Sequence, residues 1–209
     1  MLQRFLHAKH WQMFLLLFVL PFVLQLICMV IIISQIVSNS HRNYIPAEEI
    51  FGYFFLFMFG LAIFMCIFLG WFYAIGTGLQ QYIPAAHRLR TGFFKVTVLT
   101  PLVYFFIASI LFFNFDGFFP VTLILIVPLH FFSIFCFFHN FYFVAKTVKT
   151  AEYQRSTTFG DYAGEFFLLW FYPVGVWFIQ PKVNDVIAGK YTQETNDPSL
   201  SADYDMLDN

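Results

Sequence analysis

Long apolar runs separated by short polar segments dominate this chain. A bilayer's hydrocarbon core takes about 20 residues of helix, and four runs meet that length: about 11–37, 50–79, 96–113 and 118–144. They predict an all-α, polytopic integral membrane protein with a four-span transmembrane bundle over 1–147. The first run is too long for the apolar core of a cleavable signal, so it reads as an anchor that stays. It also exceeds what a span needs, so it tilts, kinks or projects. Pro21 is the natural kink, because it has no N–H for the carbonyl of Leu17. A buried amide in lipid is costly unless paired, so Gln25 should face another helix. In the second run Gly70, Ala74 and Gly78 recur every four residues, a face that lets another helix approach closely. In the third, Thr97 can support the break at Pro101. Asn114–Gly117 is a turn signal that makes spans three and four a tight hairpin. In the fourth, His130, Ser133, Cys136 and Asn140 fall within roughly 120° of one another at helical spacing, the most polar stripe in the membrane.

Beyond the fourth run the pattern changes. Residues 148–164 read as a polar cytoplasmic linker, with Asp161 as N-cap of a helix through Leu169. Residues 165–189 read as a broken amphipathic segment that opens with EFFLLWFYPVGVWFIQPKVN. Pro173 and Gly175 should interrupt it once and Gln180-Pro181 a second time, with Gly189 as a helix stop. Its apolar part, 166–181, is short for a span. Interfacial and re-entrant placements fit it better than a fifth crossing, and Trp170, Tyr172 and Trp177 are the aromatics found at headgroup depth. Residues 190–209 form an acidic tail with little apolar content, expected to be flexible.

Composition agrees with the pattern. Hydrophobic residues make up 60% of the 209 and charged residues only 11%, against about 25% charged in soluble domains. The net charge of −1 leaves no nucleic-acid footprint. The cysteines, Cys28, Cys66 and Cys136, lie inside apolar runs with no metal-ligand spacing and no disulfide framework. With four spans, every lysine and arginine except Arg42 falls on the side of both termini. The positive-inside rule then predicts that both termini are cytoplasmic.

The stretch Phe171–Asp185, FYPVGVWFIQPKVND, resembles a C-terminal signature of small polytopic membrane proteins of Bacteroidota, centred on Pro173, Gly175, Trp177, Gln180, Pro181 and Asn184. The resemblance implies a bacterial inner (cytoplasmic) membrane location and no activity.

Chemistry is sparse. No acidic or basic residue falls inside a predicted span, which argues against an ion-coupled transporter. Ser133 lies one turn from His130, but no carboxylate is there to orient the imidazole. His139 lies on a different face from His130 and Cys136, which spoils a metal site. No catalytic, cofactor or metal site is predicted. The residues singled out are Trp177, Gln180, Asn184, Arg88 and Arg90 as contacts for a partner or lipid, and His130, Ser133 and Asn140 as a polar stripe. His87, Arg88, Arg90 and Lys95 form a basic cluster in the 80–95 loop, suited to anionic headgroups or an acidic partner. Gln180 and Asn184, four apart, would bind a headgroup or partner, or satisfy backbone groups freed at the prolines. The reading is a non-enzymatic membrane subunit or scaffold that contacts membrane lipids and docks a protein partner at the cytoplasmic face. The alternatives are a homo-oligomeric pore or lipid-handling transporter, its glycine face packing protomers, and, more weakly, an enzyme acting on lipid with His87 or His139 as base.

Overall fold

A computed structural model describes residues 2–38, 47–113 and 119–191. The Asn114–Gly117 turn, residues 39–46 of the first inter-span loop and the tail from 192 lie outside the described residues. Every described element is a helix or a turn. Four helical stretches are long and apolar enough to cross a membrane: His10–Ser38, Phe51–Tyr82, Gly92–Leu111 and Ile124–Tyr153. The chain is an all-α, multi-pass, membrane-embedded protein.

The N-terminal head folds as α1 (Leu2–His7), turns at Lys9 and continues into α2 (His10–Phe14). A π-helical turn, Leu15–Val19, then leads into α3 (Leu20–Ser38). The wide turn sits just before Pro21 and includes Leu17, whose carbonyl an α-helical N–H at position 21 would have bonded.

The second span is α4 (Ala47–Gly78), tightening into a 3₁₀ turn at Leu79–Tyr82. Its small-residue face is filled from within. An added Cβ at Gly70 would meet the Phe5 ring at 3.7 Å, and one at Gly78 would lie 2.5 Å from Leu6 Cδ1. Ala74 is fully buried. This face seats α1 rather than another protomer.

The third and fourth spans are α5 (Gly92–Phe113) and α6 (Phe119–Tyr153), packed side by side. The α6 helix runs well past the expected end at 144. Val144, Val148 and Ala151 recur on one buried face, so the helix outlasts the apolar run as an amphipathic extension. The connection to the next helix is therefore only 154–158, not the whole of 148–164. It is followed by α7 (Phe159–Trp170) and α8 (Tyr172–Ile187).

The packed core sits at one end of the bundle. It gathers Leu6, Met13, Leu17, the Phe68–Ile75 part of α4, Leu79, Phe94, the Phe143–Ala151 part of α6 and the inner faces of α7 and α8. Toward the other end the side chains turn outward: Phe55, Ile110, Ile124 and Phe131 are all more than 60% exposed, as lipid-facing side chains are.

Candidate functional site

The most specific local structure is the hairpin made by α7 and α8. It starts where α6 stops. Gln154 takes a left-handed conformation, φ 53°, and its Nε2 donates to the Tyr82 carbonyl at 3.1 Å. Thr158 then opens α7, its N–H donating to Asp161 Oδ2 at 2.7 Å and its hydroxyl to the same oxygen at 2.9 Å. The cap is therefore Thr158 with Asp161 at N3, not Asp161 itself. The backbone hydrogen bond from Thr158 holds the Asp161 carboxyl below its ordinary pKa.

The chain reverses at Phe171 (φ −91°, ψ 55°). Pro173 has no N–H for the Leu169 carbonyl, which ends α7 and suits the first turn of α8. Gly175 lets the two arms touch: an added Cβ would sit 1.8 Å from the Leu168 carbonyl oxygen. The expected second break is absent. The α8 helix runs through Pro181 without interruption, because buried Gln180 and Val183 and ion-paired Lys182 anchor both sides of the proline.

The hairpin folds back onto the bundle. Trp170 at its tip packs on Phe138 of α6 at 4.9 Å between ring centroids. Tyr172 packs edge-on against Phe68 at 5.2 Å. The far end of α8 returns to α1, where Asn184 holds the Ala8 carbonyl.

Four charges close the base of the hairpin. Lys182 Nζ lies 2.6 Å from Glu165 Oε1 and 3.1 Å from Glu152 Oε2. Lys149 Nζ lies 3.1 Å from Glu152 Oε2 and 3.3 Å from Glu165 Oε1, and sits over the Tyr153 ring. Lys149 and Glu165 are both buried. Desolvation alone would raise the Glu165 pKa, but the hydrogen bond from Lys182 and the charges of Lys182 and Lys149 outweigh it and hold the pKa below the ordinary glutamate value. None of the four was singled out from sequence. The legible signal was the i, i+3 pair Lys149/Glu152. Glu165 and Lys182 lie on opposite arms of a hairpin whose geometry no local spacing reveals.

Gln180 is fully buried. Its Oε1 accepts from Trp71 Nε1 at 3.0 Å. Its Nε2 faces the carbonyls of Phe5, Leu6 and Ala8 at 3.0, 3.3 and 3.0 Å, and Asn184 Nδ2 donates to the Ala8 carbonyl at 3.1 Å. A helix end leaves its last carbonyls without partners, and these two amides cap α1. The backbone groups they satisfy belong to the end of α1 and to Ala8 just after it, not to the breaks at Pro173 and Pro181. Gln180 therefore points inward, while Asn184 is half-buried beside it. Trp177 is 43% exposed, with its ring against His10 at 4.9 Å and Phe14 at 5.4 Å.

The polar stripe of the fourth span lies along the α5–α6 seam. Pro101 leaves the Thr97 carbonyl without its helical donor, and Asn140 Nδ2 supplies one at 3.1 Å. The Thr97 hydroxyl donates to Asn140 Oδ1 at 3.0 Å and also lies 3.0 Å from His139 Nδ1. Ser133 and Asn140 are buried, while His130 is exposed and meets the Tyr104 hydroxyl at 2.8 Å. His139 thus joins Asn140 at Thr97, a meeting that helix-face geometry alone did not place. Gln25 faces α4 as expected, its Oε1 3.0 Å from where a Cβ on Gly60 would stand, but its buried Nε2 has no hydrogen-bond partner among the described residues.

Outside these networks the packed end of the molecule is basic. Arg88, Arg90 and Lys95 are exposed. Arg88 Nε donates to the Ile83 carbonyl at 3.1 Å, and His87 Nδ1 lies 3.2 Å from Ser156 Oγ. Arg4 and Lys9 of the N-terminal head are exposed at the same end. Among the described residues none of these five cations has an ion-pair partner. Each of the acids Glu152, Asp161, Glu165 and Asp185 has one. Also among the described residues, no group of three His, Cys, Asp or Glu side chains is placed to hold a metal.

No protein-family model matches the chain, and neither curated proteins nor solved structures yield a match.

Proposed function

We propose that this chain is a non-enzymatic subunit or scaffold of the bacterial inner membrane, with the basic end and both termini in the cytoplasm. On this reading it docks an acidic protein partner on the Arg88/Arg90/Lys95 surface. One observation carries the proposal: the described acids at this end are bound up in ion pairs, while five cations stay exposed without one. Such a surface attracts anionic partners and headgroups. Its orientation follows from the positive-inside rule, and the inner-membrane placement from the resemblance of Phe171–Asp185 to the Bacteroidota signature. The buried Gln180, Thr97, Asn140, Lys149 and Glu165 favour a scaffold too, because they are engaged with other side chains or with backbone rather than arranged around a reacting atom. Among the described residues, neither His87 nor His139 is hydrogen-bonded to a carboxylate that could orient it as a base.

The test is purification from the native membrane in mild detergent at low salt. The wild type should bring down a second protein at fixed stoichiometry. The variant Arg88→Glu/Arg90→Glu should lose it while keeping its thermal stability, since both side chains are exposed. A variant that retains every partner sinks the proposal. A homogeneous homo-oligomer with nothing else bound would shift the reading to the pore.

A further inference from the structure

The described structure ends at Tyr191, which packs against the core at the basic end of the bundle. Asn184, two turns earlier, holds the Ala8 carbonyl next to Lys9. The inner face of α8 packs against the Leu79–Tyr82 turn, from which the chain leads directly into Arg88 and Arg90. Beyond Tyr191 lie residues 192–209. They contain Glu194, Asp197, Asp203, Asp205 and Asp208 and no lysine or arginine. An extended chain covers about 3.3 Å per residue, so Glu194 lies within roughly 10 Å of Tyr191 and the whole segment reaches roughly 60 Å.

We infer that residues 192–209 are the resident occupant of the basic surface, docking in the same molecule against Lys9, Arg88, Arg90 and Lys95 and competing with an acidic partner for it. Three observations converge on this occupant. The surface holds unpaired cations beside fully paired acids. The segment is acidic throughout its length and lacks any base. Its anchor point follows a helix that contacts Ala8, next to Lys9, and the Leu79–Tyr82 turn that leads to Arg88 and Arg90, and its own length spans roughly 60 Å. Tethering then gives the segment an effective concentration that a free partner has to overcome. The competition rests on the docking function proposed above; the contact itself does not.

The contact is tested by zero-length carbodiimide crosslinking of the full chain in bilayer discs, with mixed isotope-labelled and unlabelled protein. At low ionic strength, carboxylates of 194–208 should link to Lys9 or Lys95 within one chain. The links should disappear at about 0.5 M salt, where charges are screened within a few ångströms. Links only between chains, links indifferent to salt, or none to either lysine would overturn the inference. So would links that form in neutral lipid and vanish at ordinary anionic lipid content, which would assign the cations to headgroups. A second variant, with all five tail acids changed to Asn or Gln, leaves every described contact intact. It should capture more of the acidic partner than the wild type does. If the intrachain links form but neither protein captures a partner, the docking function fails and the tail contact stands.

Discussion

At the residue scale, two positions in the hairpin show how little freedom the sequence has there. Gln180 satisfies Trp71 and the end of α1 with one side chain. Changing it to Leu keeps the bulk and removes both roles, leaving a buried indole N–H and helix-end carbonyls without partners. Each buried group left unsatisfied costs about 1–3 kcal/mol. We expect Gln180→Leu to lower thermal stability by that order and to speed hydrogen exchange at amides 2–10, with α5 and α6 unaffected. Equal exchange in variant and wild type would remove the capping role. Gly175 is constrained by space. A methyl group there would overlap the Leu168 carbonyl, and a backbone atom cannot swing aside as a side-chain tip can. Overpacking commonly costs about 1–3 kcal/mol. Gly175→Ala should reach at least the upper end and expose the hairpin to protease at 154–158. Gly160, with open space around its Cβ position, is the control: Gly160→Ala should be neutral or slightly stabilising.

At the element scale, the hairpin is held at its base by charge and at its tip by aromatic packing. The base responds to pH in a defined direction. The folded state holds the Glu165 pKa below its ordinary value, so this carboxylate contributes stability above the unfolded pKa, about 4.3, and loses it as pH falls through the lower folded value. Thermal stability should therefore stay level in this respect from neutral pH down to about 5 and drop below about 4. Removing one member of a buried ion network costs about 3–5 kcal/mol because the partner stays buried and uncompensated. Glu152 still faces both lysines in Glu165→Gln, so the lower figure is expected, together with a weaker acid response. Adding Lys149→Met should recover part of the loss; a double variant no better than the single would contradict a charge-based account. The hairpin also shows where local reading stops. Its first break was legible, because Pro173 and Gly175 act on their own backbone. The absence of a break at Pro181 was not, because that helix is held by Gln180 and Lys182 through contacts far away in sequence. The ion quartet was illegible for the same reason. The α5–α6 seam lies between these cases: Pro101 and Asn140 each gave a signal, but only packing brings the Asn140 amide to the Thr97 carbonyl.

At the scale of the whole molecule, the four spans were legible because bilayer thickness imposes a length that local composition reports directly. The uneven packing was not, since it depends on a hairpin that folds back against one end of the bundle. It fills the basic half of the bundle, and α1 folds back to close the same half. On the proposed topology, both ends of the described chain, the 79–91 turns and the 154–158 connection share one side of the bilayer. This arrangement makes a prediction that separates the re-entrant hairpin from a crossing one. Single cysteines would be placed at Ser156, in the 154–158 connection, and at Lys190, beyond α8, in a background lacking Cys28, Cys66 and Cys136. Both should react with a membrane-impermeant maleimide from the same side of oriented vesicles, and a cysteine replacing Asn43 from the opposite side only. Phe171, at the hairpin tip, is exposed; if the tip enters the bilayer, that surface meets lipid, and a cysteine there should resist the reagent from both sides. Labelling of positions 156 and 190 from opposite sides would turn the hairpin into a fifth span. It would also carry Lys182 and Lys190 across the membrane, part the ion quartet and leave α1 without its cap. The cost of those losses is the physical reason the segment turns back at Phe171.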